Sequence, residues 1–434
     1  MKNNFFQSIL THTARPLSTL CISGLLILPF AQTALAAEMS KVSMSHSSQN
    51  ENSNSSQWSK WVLTQVQSLP SIQAIETGTL VADEQRNASQ QALYNPELGA
   101  FYTDNKDDEY GMILSQTIDW FDKRSANAQL GQVDYDLVML DKVLQVEEKL
   151  SEALTAYIEY AMSEQLLAVS KDQEKLLTKL SNDLRLREAA GDVGQIDAEM
   201  AYLSLSQNLQ QISLTEIRYR KARANLQQSL NSKALHYHPK TSIWVNEVPE
   251  AEIDSKVDSG LRVQLAKKQL EQSVSQSKIA QLNKKVNPTI GLGAGRDGNR
   301  NTVLLELSIP LNVRNTFSAE YSAALHRVNQ TELELKEQQR LLKNNIEQSL
   351  INYKALKTRV LSWERLTGSR LKNTQKLLNK QWKSGDISTS DYLFALRQRT
   401  DTLIASIELN GEMHKAWVEW LLASSQVKKW LNSL

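Results

Sequence analysis

The chain has 434 residues, with 49 basic and 48 acidic side chains and one cysteine. So even a charge balance argues against a nucleic-acid partner, which ordinarily leaves a basic excess. One cysteine supports neither a disulfide framework nor a thiolate metal cluster.

The first 36 residues are expected to be a secretory signal. Lys2 and Arg15 supply the positive end, Leu17 to Phe30 the apolar stretch, and Ala34-Leu35-Ala36 the small-residue cleavage site. Cleavage there would take two of the 49 basic residues and none of the 48 acidic ones, leaving 47 against 48, a net charge of −1. It would also remove Cys21, which has no lipobox before it, so no lipid anchor is expected. Residues 37–69 are expected to be a flexible lead-in, on the Ser- and Asn-rich composition of Glu38 to Gln57. After the signal there is no apolar run of about 18 residues, so a membrane protein of this sequence must be a β-barrel. Only helices and closed barrels satisfy their backbone in lipid.

The remainder reads as a duplication. Asn95-Pro96 recurs 192 positions on as Asn287-Pro288, and Leu114-Ser115 recurs 193 positions on as Leu307-Ser308. Gly191-Asp192-Val193 with Asp197 recurs 194 positions on as Gly385-Asp386-Ile387 with Asp391. The first repeat is placed at residues 70–230 and the second at 260–426, joined by a linker at 231–259 and followed by a tail at 427–434.

Each repeat opens with a moderate helix ending at the Asn-Pro pair, because proline disfavours helix in the residue before it. Two strands follow, within about 97–119 and about 289–311. Val303, Leu305 and Leu307 fall on one face of the last strand, opposite Leu304, Glu306 and Ser308. Ile290, Leu292 and Ala294 alternate with three glycines in its partner. Strands of about eight residues approach the length that crosses an outer membrane when tilted.

The chain is then expected to be helical over very long stretches, Phe121–Ala190 and Asn315–Ser384, since neither contains proline and apolar residues recur at alternating three and four spacings. Such helices would be about 100 Å long at about 1.5 Å per residue. Both stop at glycines suited to a left-handed helix end, Gly191 and Gly385, and a shorter helix returns after each.

The Asn95-Pro96-Glu97-Leu98 entry, the Leu307 to Leu311 exit and the duplicated Gly-x5-Asp turns resemble the TolC-like outer membrane efflux protein family, in particular its heavy-metal efflux members. The resemblance implies a mainly α fold with a transmembrane β-barrel. Three chains would build a twelve-stranded barrel above a tunnel of twelve helices, in the outer membrane of a Gram-negative bacterium and reaching into the periplasm. It implies a homotrimer in outer-membrane lipid, meeting a periplasmic adaptor (membrane fusion) protein and an inner-membrane pump. Carried over residue by residue, Gly191, Asp192, Val193, Gly385, Asp386 and Ile387 become adaptor-docking tips. Asp391, its counterpart Asp197, and Phe394 become the pore constriction, and Val303, Leu305 and Leu307 the lipid-facing strand. Family members carry a second acidic residue where Phe394 stands. A capping box with Ser388 is the competing account of Asp391.

No enzyme, cofactor or metal site is read. Gly293-x-Gly295-x-x-Gly298 matches the dinucleotide fingerprint in letters, but a strand rather than a helix is expected after it. His236 and His238 lack a third ligand nearby, and Met39, Met44 and His46 lie in the lead-in. His326 and His414 fall in helical stretches without a nucleophile. The function expected is a passive duct of a tripartite export system. A periplasmic adaptor or a coiled-coil scaffold is the alternative; the duplicated hairpin pairs decide against the first, and the second would not need four amphipathic strands.

Overall fold

In the computed structural model, described for residues 55–104, 108–191, 194–232, 241–244, 253–367 and 370–434, one antiparallel sheet stands at the end of a long helical body. The helices are α1 (55–67), α2 (Pro70–Ser89), α3 (Lys123–Ala189), α4 (Gln195–Ser229), α5 (Ile253–Ser259), α6 (Leu261–Asn283), α7 (Ser318–Thr367), α8 (Arg370–Ser384), α9 (Thr389–Ala423) and α10 (Val427–Asn432). The strands are β1 (Glu97–Thr103), β2 (Glu109–Thr117), β3 (Thr289–Asp297) and β4 (Arg300–Ser308), in the order β1-β2-β3-β4. The two hairpins of the duplication therefore join through β2 and β3 into one sheet.

Helix α3 runs 67 residues, about 100 Å at about 1.5 Å per residue. Its length follows from what the sequence leaves out: it has no proline, and its one glycine, Gly131, sits where a neighbour presses close. A Cβ there would lie 2.0 Å from Ser89 Oγ of α2. Helices α2 and α4 flank successive stretches of α3. Arg86 of α2 lies over the Tyr135 ring at 4.6 Å, while Arg218 of α4 meets Glu159 at 3.0 Å. In the second repeat the matching stretch carries α7 and α8, of 50 and 15 residues, on either side of residues 368–369, which lie outside the described residues. None of the described helices is long and apolar enough to cross a membrane.

The main core lies midway along the body. Tyr157 and Leu154 of α3, Tyr353 of α7 and Trp417 and Leu421 of α9 are buried there. Three expectations need correction at this level. Within the lead-in placed at 37–69, residues 55–67 form α1, and Trp58, Val62 and Val66 are buried against Tyr157 and Trp244. Burial of that apolar stripe, spaced four residues apart, outweighs the polar composition around it. Part of the 231–259 linker is structured as well: Thr241–Trp244 is a 3-10 turn that plants Trp244 in this core, and α5 follows. The 427–434 tail is α10, whose Val427, Trp430 and Leu431 are buried. The opening helices also stop short of the Asn-Pro pairs, at Ser89 and Asn283, leaving those pairs to lead into the strands.

Burial sets the direction of titration for His414 in this belt but not for Glu159. It pushes His414 down to about 4, so the imidazole is neutral, stacked near Trp244. Burial would raise Glu159, yet hydrogen bonds from Lys415 and Arg218 hold it below the usual carboxylate value, tying α3 to α4 and α9.

Candidate functional site

Two regions carry the candidate residues, the sheet and the far helix turns. The sheet's register sorts its residues cleanly. Leu98 pairs with Leu114, Leu114 with Leu292, and Leu292 with Leu305. Ala100, Met112, Ala294 and Val303 form a second such row. Both rows lie on one face, because side chains alternate along a strand and stay level across it. That face is bare: Val303 and Leu305 are 80% and 75% exposed, and Leu307 is exposed as well. All three candidate strand residues therefore stand together on a continuous apolar surface.

The other face carries Gly99, Gly111, Gly291, Gly293 and Gly295 with Glu306. Ile113 and Phe101 lie flat across these glycines. A Cβ on Gly291 would come within 3.0 Å of Ile113 Cδ1, and one on Gly111 within 2.7 Å of Phe101 Cζ. Small residues on this side leave little side-chain bulk to oppose a bend of the sheet toward it. The fingerprint-like glycines are thus spent on a strand and its turn, where Gly298 takes a φ of +53° and β4 follows.

Beneath the sheet, Asn287 joins the repeats. Its amide donates to Asp119 Oδ1 at 3.1 Å, and Asp119 also accepts from the backbone of Lys123 and Arg124 at the start of α3. Ile118 N donates to Pro288 O at 2.9 Å. The Asn-Pro signal therefore marks a junction between sheet and helices.

At the opposite end, Gly191 and Gly385 have φ of +78° and +81°, the left-handed conformation their positions suggested. Asp386 N closes the turn on Gln381 O at 2.9 Å. Asp192 and Val193 lie outside the described residues. Gly385 and Asp386 are exposed, whereas Ile387 is half-buried, packed beside Trp382, Tyr392 and Leu393. Trp382 stacks on Tyr392 at 5.2 Å and lies under Arg187 of α3 at 4.9 Å, so this aromatic pair pins the second turn to the first. The sequence reading missed that clamp, because the first repeat has Glu188 and Ala198 at the matching positions.

Asp391 is exposed and bonded to Ser388. The Ser388 hydroxyl accepts from Asp391 N at 3.0 Å and donates to Asp391 Oδ2 at 2.7 Å, capping α9. Phe394, one turn on, is 70% exposed, and Asp197 is half-buried at the start of α4. Of the histidines set aside, His326 is exposed on α7, while His236 and His238, like Met39, Met44 and His46, lie outside the described residues.

Residues 260–422 match the family model of the outer membrane efflux proteins. The chain has the outer membrane efflux protein fold. The Campylobacter jejuni CmeC outer membrane channel superposes with a TM-score of 0.70 at 11% identity, over 85% of this chain and 85% of that one. The open state of the Neisseria gonorrhoeae MtrE outer membrane channel gives 0.69 at 12%, over 84% and 88%. CusC, studied for its folding and transmembrane channel formation, gives 0.70 at 14%, over 84% and 91%. No curated protein sequence matches.

Proposed function

We propose that this protein is the outer-membrane channel of a tripartite efflux system in a Gram-negative bacterium, a homotrimeric passive duct. The observation that carries the reading is the sheet's bare apolar face opposite a glycine-rich face. Such a sheet suits lipid on one side and water on the other, and the similarity to outer membrane channels supports it. An adaptor or a coiled-coil scaffold has no use for that face. The order of the sheet leaves β1 and β4 each with one unpaired edge, which lipid does not tolerate, so copies must close the barrel. Native mass measurement in detergent should return three chains. A stable monomer sinks the proposal.

The tips are the proposed docking points for a periplasmic adaptor that couples the duct to an inner-membrane pump. Gly385→Lys tests this with little collateral damage, because a Cβ at Gly385 would meet nothing within 4 Å. The cost is confined to the left-handed backbone, about 1–2 kcal/mol. Trimers should reach the outer membrane while efflux falls. Loss of the trimer would assign the glycine to folding instead.

Asp391 divides two roles. Three copies facing a common axis would make a carboxylate ring that favours cations and holds a divalent ion. The Ser388 bonds supply the capping role; Asp391→Ala keeps the Ser388 hydroxyl on the backbone N–H of residue 391 and loses only its bond to the carboxylate, so the cost should stay below the about 0.5–2 kcal/mol of losing the N-cap residue. Recording single channels in planar bilayers separates them: the ring predicts weaker cation selectivity and weaker divalent block in Asp391→Ala. Unchanged values of both leave the aspartate as a cap and turn attention to Phe394.

A further inference from the structure

The duplication extends to the strand register, and this specifies how two copies of the chain meet. Moving β1 on by 192 positions and β2 by 193, the offsets of the Asn-Pro and Leu-Ser landmarks, turns every β1–β2 pair into a β3–β4 pair. Leu98↔Leu114 becomes Ile290↔Leu307, and Ala100↔Met112 becomes Leu292↔Leu305. The two hairpins are one construction made twice. The β2–β3 ladder is then an observed example of how the second strand of one hairpin receives the first strand of the next. The two unpaired edges of the chain, β4 and β1, are the counterparts of β2 and β3, so the surface complementary to β4 is the β1 edge of a second copy.

Carrying the β2–β3 register across with the same offsets, we infer that β4 pairs with the partner subunit's β1 as Glu306↔Phe101 and Leu304↔Thr103. Leu305 then falls opposite Tyr102 and Leu307 opposite Ala100. This rests on the channel reading above but goes beyond it, because a trimer alone does not fix which residues oppose each other.

Two consequences of that register fit a membrane barrel. The first is facing. Leu305 and Leu307 meet Tyr102 and Ala100, all on the apolar face, while Glu306 meets Phe101 on the glycine-rich one; a slip of one residue would reverse this. The second is stagger. Opposite pairs lead from Glu97 to Ser115 to Gly291, and Gly291 is the counterpart of Gly99, so each hairpin advances the sheet by two residues. The path continues to Glu306, and the inferred seam returns it at Phe101, another advance of two. Four residues per four strands, at about 3.3 Å rise and about 4.8 Å between strands, tilts the strands by about 35°. Outer-membrane barrels tilt by about 35–45°. Slips of two residues would give about 19° or about 46°, and both would break the even stagger of the hairpins.

The junction below the sheet changes at this seam. Asn95 would approach Asn312, the counterpart of Asp119, so the carboxylate that holds Asn287 within the chain is replaced by an amide. The contact between copies lacks that charge-assisted bond.

Four double-cysteine variants of the full-length chain test the register in isolated outer membranes: Glu306→Cys with Phe101→Cys, Leu304→Cys with Thr103→Cys, Glu306→Cys with Thr103→Cys, and Leu304→Cys with Phe101→Cys. Each cysteine occurs once in a matched pair and once in a slipped pair, so differences in accessibility or folding cancel. With a short bifunctional thiol reagent, the first two should give covalent dimers and trimers on denaturing gels, several-fold more than the last two. Stronger linking in either slipped pair overturns the register. No linking in any pair, while native mass still gives three copies, overturns the β4–β1 contact itself. A native monomer fails the channel reading instead.

Discussion

Leu305→Arg should block barrel assembly while Glu306→Arg is tolerated, although the two positions are adjacent. Leu305 is level with Leu292, Leu114 and Leu98 across the sheet, near the middle of its strand and on the exposed apolar face. An arginine at the bilayer midplane costs about 2–4 kcal/mol on a barrel's lipid side. Glu306 is opposite Gly291 on the glycine-rich face, where a charged side chain already stands and water fills the proposed lumen. Three copies would multiply the penalty for Leu305→Arg, which no stripe of compensating charge on that face could offset. Quantifying heat-resistant trimers in outer-membrane fractions reads the difference. Equal losses from both substitutions would mean that the apolar face is not the lipid face.

How far the sequence foretold this molecule depended on whether the signal was periodic or compositional. The strands were legible because alternation states which residues share a face, and Leu305 against Glu306 was settled by parity alone. The long helices were legible because proline is absent from α3, and their ends because Gly191 and Gly385 carry the left-handed turn. The segments around the central core were not. Three of them, carrying Trp58, Trp244 and Trp430, are too short or too polar on average to announce an element, yet each plants a tryptophan against α3 or α9. Burial of such side chains contributes more than local propensity does, and it depends on partners from other elements of the chain. The helix tips stand between these cases. Glycine and aspartate spacing located them, but the Trp382–Tyr392 stack under Arg187 arises only in the second repeat and could not be inferred from the duplication.

Glu147→Ala should release the C-terminal helix from the body. Glu147 is buried on α3, and its two carboxylate oxygens accept from Val427 N at 2.8 Å and Lys428 N at 3.1 Å, across 280 positions of sequence. These are the first N–H groups of α10, which have no partner inside their own helix. Removing the carboxylate leaves both donors unsatisfied, at about 1–3 kcal/mol each while they stay buried. The cheaper outcome is for α10 to detach, exposing Trp430 and Leu431 and loosening the wall against which Trp244 packs. Limited proteolysis should then trim the C-terminus of the variant and not of the parent, and amide exchange at Val427 and Lys428 should quicken; an unchanged cleavage pattern would refute the clamp. The same contact sets a pH dependence. Burial raises the carboxyl above its usual value of 4.5, against the backbone bonds and the nearby Lys428, which favour the charged form. The docked state therefore holds a proton that the released state gives up. By linkage its stability falls as pH rises through the window from 4.5 to the raised value, and levels off above it. Docking of α10 should be firmest on the acidic side of that window, and Glu147→Gln, which cannot ionise, should flatten the slope while still losing one acceptor.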